Sequence, residues 1–269
     1  MGMFNSGNPT LTEKMFDRSA NQASDSLGVM TVRGTMNKFG FLLLMMMGSA
    51  MYIWSIYKPG TLDTAYKLLI GGAIGGFILA IVMMFKPNWA SYIAPAYAIL
   101  EGLVVGGVSA YYNGVFSKKF GHVAADGTGP QSYIVIQAVG LTMGVAIAMF
   151  LLYNFRIINV TNRLRSIIMS ATFGIAIFYF LMWIFRIVTG NNSFGAFDSS
   201  NMYMSIGISL FIVGIAAFNL LLDFDFIERG AEMGAPKYME WYGAFGLLVT
   251  LVWLYLEILR LLSKVYSRK

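Results

Sequence analysis

Acidic side chains inside long apolar runs are the residues of this sequence that could carry out chemistry. Asp223 and Asp225 lie in the stretch NLLLDFDFIE, which closes an apolar run that begins near Tyr203. A run of about 20 apolar residues is long enough to cross a bilayer. An ionisable side chain costs roughly 2.5–3.5 kcal/mol at the bilayer centre and usually faces a bundle interior or a water-filled cavity. The two acids are therefore candidates for proton or cation chemistry.

Glu101 is a third candidate because it is alone in the apolar run 91–112. It lies about ten residues into that run, or roughly 15 Å along a helix axis. This depth is close to the middle of a hydrocarbon core about 30 Å thick. Burial disfavours the charged form of a carboxyl group, so Glu101 could exchange a proton in the physiological pH range. The structural alternative is a protonated glutamic acid bonded to a neighbouring helix.

Polar neighbours of Asp223 can be predicted from spacing and from loop length. Asn219 is four residues earlier and therefore on the same helical face. Arg163 and Arg165 follow the fourth apolar run and could reach Asp223, which would then be a capped acid at the interface. Asp225 is on roughly the opposite face and is expected nearer to water. A fourth acid, Glu257, precedes Arg260 by three residues, and the two are expected to pair with each other near the membrane surface.

Composition excludes several classes of protein. The chain has 269 residues, of which 57% are hydrophobic and 12% charged, whereas a soluble domain has about 25% charged residues. The net charge of +6 comes from basic residues that flank apolar runs, so no nucleic-acid partner is expected. The chain has no cysteine and a single histidine, His122, in a polar loop. No cofactor is expected, no metal site can be assigned, and the spans lack a nucleophile–base pair, so an enzyme is not expected.

Seven apolar runs position the acids and predict an all-α integral membrane protein, a seven-helix bundle in one domain of residues 37–269. The predicted spans are 39–57, 65–85, 91–112, 132–154, 166–188, 202–227 and 241–265. Residues 1–36 are polar and are expected to form a flexible tail, with a short amphipathic segment at 11–18. Glycines four apart in the second, third and fourth spans predict close helix packing; they include Gly72, Gly76, Gly102, Gly106, Gly140 and Gly144.

Three stretches resemble the Bax inhibitor-1 family, in particular its bacterial YccA-like members. The sixth span carries DFDFIERG from Asp223, similar to the family's Asp, short polar-apolar run, Ile and basic-Gly ending. The third span carries LEGL around Glu101, similar to its Glu-Gly-Leu segment, and a small-residue pair follows. The seventh span ends LEILRLL around Glu257, similar to its Leu-Leu-Arg ending. The resemblance runs over roughly residues 35–265.

This resemblance implies a central helix ringed by the others and a pH-sensitive calcium leak. In the family, two aspartates on the sixth and seventh spans share a proton when the leak is closed. Asp223 matches the first aspartate, but alignment through Arg260 places Thr250 at the second position. Because threonine cannot ionise, Asp225 or Glu101 would have to supply the second carboxyl, and the deeper Glu101 is preferred. Otherwise this branch has lost the gate.

Three functions follow as hypotheses. The first is a leak for calcium or other cations in a bacterial inner membrane, gated by protonation of Asp223 with Glu101. The second rests on the resemblance, which implies an inhibitory partner of a membrane-bound protease that presents the polar tail. The third is a proton-coupled transporter of a small solute, with a discontinuous third helix broken at Pro95 and Gly102. The Arg-rich loop after the fourth span favours a cytoplasmic N-terminus, although the basic C-terminus does not.

Overall fold

Seven long helices make up almost all of the fold. The computed structural model describes residues 28–57, 62–120, 122–123, 130–131, 133–189 and 202–267. Each of the seven helices is long and apolar enough to cross a membrane. They are α1 (Val32–Ile56), α2 (Leu62–Phe85), α3 (Ala90–Phe120), α4 (Ile134–Asn154), α5 (Asn162–Thr189), α6 (Met202–Glu232) and α7 (Met239–Ser267). A short 3-10 turn, Pro87–Trp89, precedes α3, and strands β1 (His122–Val123) and β2 (Pro130–Gln131) pair antiparallel after it.

The last helix, α7, is the centre of the bundle. It packs against α1, α3, α4 and α6, and most of its apolar side chains between Ala244 and Leu259 are buried. Leu248, Leu254 and Leu259 are fully buried. The helix α2 lies outside this ring and packs mainly on α3. The predicted all-α bundle with a central helix is therefore confirmed.

The first helix begins at Val32, seven residues before the predicted span. Thr31 caps it, because its hydroxyl accepts a hydrogen bond from the Gly34 amide at 3.0 Å. The Glu240 carboxylate, which is fully buried, accepts from the Thr31 amide and hydroxyl at 2.9 Å each and pairs with Lys38. This partner on α7 explains why charged residues outside the apolar run are nevertheless part of the bundle.

Part of the predicted polar tail is therefore helical. Residues 32–36 belong to α1, whereas residues 1–27, with the predicted amphipathic segment at 11–18, lie outside the described residues. Residues ahead of the helix are held as well. Met30 is 1% exposed and its amide donates to the Ala235 carbonyl at 2.7 Å, beside a bridge between Val29 and Pro236. The chain just ahead of α1 is thus fixed to the connector between α6 and α7.

The third helix is continuous, so the predicted break at Pro95 and Gly102 is wrong. Pro95 lies within the second turn of α3, and the helix continues to Phe120, eight residues beyond the predicted end. Gly102 and Gly106 serve close packing instead. A Cβ at Gly102 would collide with the Met46 carbonyl oxygen, and one at Gly106 would lie 2.6 Å from the Ala50 Cα. The predicted close approach of α1 and α3 is confirmed.

The other glycine pairs differ in their surroundings. In α2, a Cβ at Gly72 would lie 2.8 Å from the Leu100 carbonyl oxygen, so α2 also approaches α3 closely. In α4, nothing lies within 4 Å of a Cβ built at Gly140 or Gly144. The expectation of close packing is therefore wrong for α4, because this face of the helix has no neighbouring helix against it.

Candidate functional site

The Asp223 carboxyl is directed at α7, the central helix. Thr250 is its hydrogen-bonding neighbour, and a Cβ at Gly246 would lie only 4.0 Å from Asp223 Oδ1. The Thr250 hydroxyl donates to the Gly246 carbonyl at 3.2 Å. The second carboxyl oxygen, Oδ2, is buried and has no hydrogen-bond partner among the residues that the structure describes. Buried polar atoms are nearly always bonded in proteins, so an unpartnered carboxyl oxygen requires a functional or chemical explanation.

Asp223 lies well inside α6 rather than at its end. The sixth helix continues to Glu232, five residues beyond the predicted end. Asp223 is nine residues from that end, or about 13 Å along the axis. The facing residue Thr250 is eleven residues into α7, or about 16 Å from its start. Both residues therefore lie more than two turns inside their helices.

Asp225 is held by two arginines. Its side chain is more buried than the sequence predicted. Its side chain is buried, with the residue 6% exposed. Arg165 at the start of α5 forms an ion pair with Asp225 Oδ2, and Arg229 Nε lies 2.9 Å from Oδ1. The Asp225 carboxylate therefore accepts charge-assisted hydrogen bonds from two guanidinium groups and joins α5 to α6. The predicted contact between Arg165 and Asp223 is wrong, because Arg165 bonds to Asp225 instead.

The remaining predicted neighbours of Asp223 lie elsewhere. Arg163 is exposed. The Asn219 amide donates to the Thr172 hydroxyl and to the Ile215 carbonyl, both at 2.8 Å, so it joins α6 to α5. Neither residue supplies a partner to the Asp223 carboxyl. The direct partner is Thr250, the residue that alignment had placed opposite Asp223.

Glu101 lies on a different side of the bundle from Asp223. Its carboxyl bonds to the Tyr97 hydroxyl, one turn earlier in α3. A Cβ at Gly76 of α2 would lie 3.6 Å from Glu101 Oε2, so the carboxyl sits at the α2–α3 contact. The structure does not bring Glu101 and Asp223 together, because α3 and α6 each pack on α7 rather than on each other.

A tyrosine nevertheless connects Glu101 to the surface of α7. The Tyr97 ring packs edge-on against Phe245, with ring centroids 4.8 Å apart. Phe245 immediately precedes Gly246, whose backbone faces Asp223. One aromatic contact thus lies between the Glu101 hydrogen bond and the helix that faces Asp223. The contact between Glu101 and Tyr97 could have been predicted, since the two residues are four apart on one helix. The sequence contained no signal for the contact between Tyr97 and Phe245.

The expected pair of Glu257 and Arg260 is confirmed and has a third member. Arg260 Nη1 lies 2.8 Å from Glu257 Oε1, and the Tyr179 hydroxyl donates to the same oxygen at 3.0 Å. Glu257 is 2% exposed. Tyr179 belongs to α5, so this cluster joins the central helix to the ring at the opposite end from Asp223. It is satisfied and carries no sign of a binding site.

A polar cavity of about 370 Å³ lies beside the Asp225 ion pairs. Acidic and basic side chains alternate around it, among them Arg156, Glu228, Arg229 and Glu232. Glu228 is bonded to Tyr153 and lies 3.4 Å from Arg156. Within the part of the chain that the structure describes, no group of three or more His, Cys, Asp or Glu is placed to hold a metal ion.

These features define a multi-pass integral membrane protein whose central helix faces an unpaired buried carboxyl. The family model described as Bax inhibitor 1 like matches residues 8–267, nearly the whole chain. The chain therefore belongs to the Bax inhibitor 1-like family, as the resemblance of its sequence motifs indicated. This is a family of membrane proteins, often linked to calcium leak and generally without enzymatic activity. No curated protein matches the chain in sequence comparison.

Proposed function

We propose that the protein is a pH-sensitive leak for cations, with calcium as the principal ion, and that it opens when Asp223 loses its proton. The observation that carries this proposal is the buried, unpartnered Oδ2 of Asp223 against the Gly246–Thr250 surface of α7. Membership of a family often linked to calcium leak supports it. The proposed membrane is the bacterial inner membrane, with the N-terminus in the cytoplasm.

The gate follows from the cost of an unpaired charge. A protonated Asp223 is neutral and can remain packed against Gly246 and Thr250. An ionised carboxylate in this place has no positively charged partner among the described residues, and the neighbouring Thr250 hydroxyl already donates to the Gly246 carbonyl, so the charge is costly until water or a cation reaches it. Separation of α6 from α7 would admit both. The resulting negative site would attract cations, as acidic side chains do in cation-selective pores.

The proposed gate has a single carboxyl at its centre rather than two. Asp225 cannot be the second member, because Arg165 and Arg229 already neutralise it. Glu101 bonds to Tyr97, whose ring packs on Phe245, and is not in contact with Asp223 among the described contacts. Thr250 occupies the position opposite Asp223 and cannot ionise. Flux should therefore follow the release of one proton, without the coupled titration of a carboxyl pair.

Replacing Thr250 with Asp tests this gate. Two adjacent carboxyl groups cannot both ionise cheaply, so Thr250→Asp should move the midpoint of opening to higher pH by about one unit or more. The measurement is calcium entry into proteoliposomes with a trapped indicator, across pH. Thr250→Asn is the matched control, because it has the shape of aspartate without its charge. Flux curves that coincide for the Asp and Asn variants would contradict the proposed role of Asp223.

A second candidate function is inhibition of a membrane-bound protease through residues 1–27. The observation that favours it is the attachment of the preceding chain: Met30 is buried, and Val29 and Met30 are bonded to the α6–α7 connector. A partner that pulls on the N-terminal residues would therefore act on the two helices that hold Asp223. Binding and gating could be coupled in this way.

Removal of residues 1–27 tests the second candidate. The truncated chain keeps Met30 and Thr31, so its contacts with Ala235 and Glu240 remain and the bundle should fold. We expect co-purification with the protease to be lost while calcium entry into proteoliposomes stays pH-dependent. A control chain in which residues 1–27 are replaced by a Gly/Ser linker of equal length separates sequence from length. Co-purification that survives the truncation would count against the tail as the binding element.

A further inference from the structure

A cavity of about 670 Å³ lies between α1 and α4, beside the part of α7 that follows Thr250. This volume is typical of small-molecule sites, which measure about 300–1,000 Å³. Its floor is made by buried side chains of α3 and α7, including Val105 and Leu251. Its rim is exposed: Met51 is 64% and Ile136 69% accessible. Because both rim helices cross the membrane, the cavity opens sideways into the lipid.

The cavity has the depth of one leaflet. Along α1 it runs from Leu43 to Trp54, which are eleven residues apart or about 17 Å. The hydrocarbon core is about 30 Å thick, so this length covers roughly half of it. Trp54 is near the end of α1 and suits the membrane interface, where tryptophan is enriched. Leu43 lies about 16 Å from the start of α1 and therefore near the midplane.

Polarity changes along the cavity in the same direction as in a membrane lipid. The described lining residues near the midplane are apolar apart from Thr142, whose hydroxyl donates to the Ala138 carbonyl at 2.7 Å, and none of the described lining residues is Asp, Glu, Lys, Arg or His. At the interfacial end lie Asn113, Ser109 and Tyr255. Asn113 is 23 residues into α3, or about 34 Å from its start. A lipid has the same order, with an ester group at the interface and methylene groups below it.

The polar end offers a hydrogen-bond donor. Ser109 donates to the Val105 carbonyl, so the Tyr255 hydroxyl, 2.6 Å away, donates to Ser109. Among the described contacts, none occupies the amide of Asn113, which lines the cavity. A primary amide at this position can donate to an uncharged carbonyl oxygen. Among the described residues that line the cavity, none carries a guanidinium or ammonium group that would bind a phosphate.

We infer that this cavity is a binding site for one acyl chain of a glycerolipid, taken from the leaflet in which α1 and α3 end. The chain lies between α1 and α4, and its ester carbonyl accepts a hydrogen bond from Asn113. The lipid fills the space between two helices that do not pack on each other, and it covers the buried floor formed by α3 and α7. This site is independent of the proposed proton gate.

Native mass spectrometry of the detergent-purified protein tests the site. We expect one molecule of a diester phosphatidylethanolamine to bind more tightly than any that follow. Val139 lies on the rim and is 44% exposed, so Val139→Phe should fill the cavity without disturbing the core and weaken the first binding event about tenfold. Leu141→Phe is the matched control, because Leu141 is on the same helix, 50% exposed, and outside the lining.

The ester contact is tested with a diether phospholipid of the same chains. The wild-type protein should bind the diester about fivefold more tightly, and Asn113→Leu should remove that preference while keeping the single binding event. Equal effects of Val139→Phe and Leu141→Phe would overturn the site. Equal affinity of the wild-type protein for diester and diether lipids would overturn the contact with Asn113.

Discussion

Asp223→Asn should abolish the increase of calcium flux with pH. The asparagine keeps the size of the aspartate but cannot ionise, so the contact with Gly246 and Thr250 stays neutral at every pH. Proteoliposome flux is expected to remain at the low-pH level of the wild-type protein from about pH 5.5 to about pH 8. At the upper end of this range, the variant should conduct at least about tenfold less than the wild-type protein.

The control for this result is another acid of the same helix. Glu232, nine residues after Asp223, is exposed at the end of α6, and Glu232→Gln should leave the flux curve unchanged. Infrared difference spectroscopy gives a second readout that does not depend on flux. A protonated-carboxyl band should disappear as pH rises, be missing in Asp223→Asn and persist in Glu101→Gln. Parallel flux curves for wild-type protein and Asp223→Asn would exclude Asp223 as the gate.

Periodic and compositional signals were enough to predict the bundle. Apolar runs gave all seven helices, and the spacing of Glu257 and Arg260 gave a contact that the structure contains. The ends of helices were less accurate. The start of α1 depends on Glu240, which is 209 residues away from Thr31. No local pattern could show that a buried carboxylate on the last helix accepts hydrogen bonds from the cap of the first.

The candidate site was predicted in part, for the same reason. Helical spacing placed Asn219 on the face of Asp223, but its amide bonds to Thr172 of the neighbouring helix. Arg165 was expected at Asp223, yet it reaches Asp225, because the rotation of α6 directs that residue towards α5. The helix that each acid faces is determined by packing between helices. The residue pattern along a single helix does not contain this information. The match of Thr250 to a family position was the exception.

The contact between α1 and α3 should be the most sensitive to a small substitution. Gly106→Ala is expected to destabilise the bundle by roughly 1–3 kcal/mol or more, the usual cost of overpacking. The added methyl group would lie 2.6 Å from the Ala50 Cα and would collide with the Ala50 carbonyl oxygen. These are backbone atoms, so a rotamer change cannot relieve the clash and the two helices must separate. Thermal unfolding in detergent, followed by circular dichroism, measures the loss.

The matched control is Gly144→Ala in α4, where nothing lies within 4 Å of the added Cβ. Alanine is favoured over glycine inside a helix by about 1 kcal/mol, so this variant should be neutral or slightly more stable. The same gain applies to Gly106→Ala, and the difference between the two variants therefore isolates the steric cost of the α1–α3 contact. Equal melting temperatures for the two variants would mean that α1 and α3 do not approach as closely as their glycines allow. A lower melting temperature for Gly106→Ala alone would show that the close approach of α1 stabilises α3. This helix carries Glu101 and packs on α7.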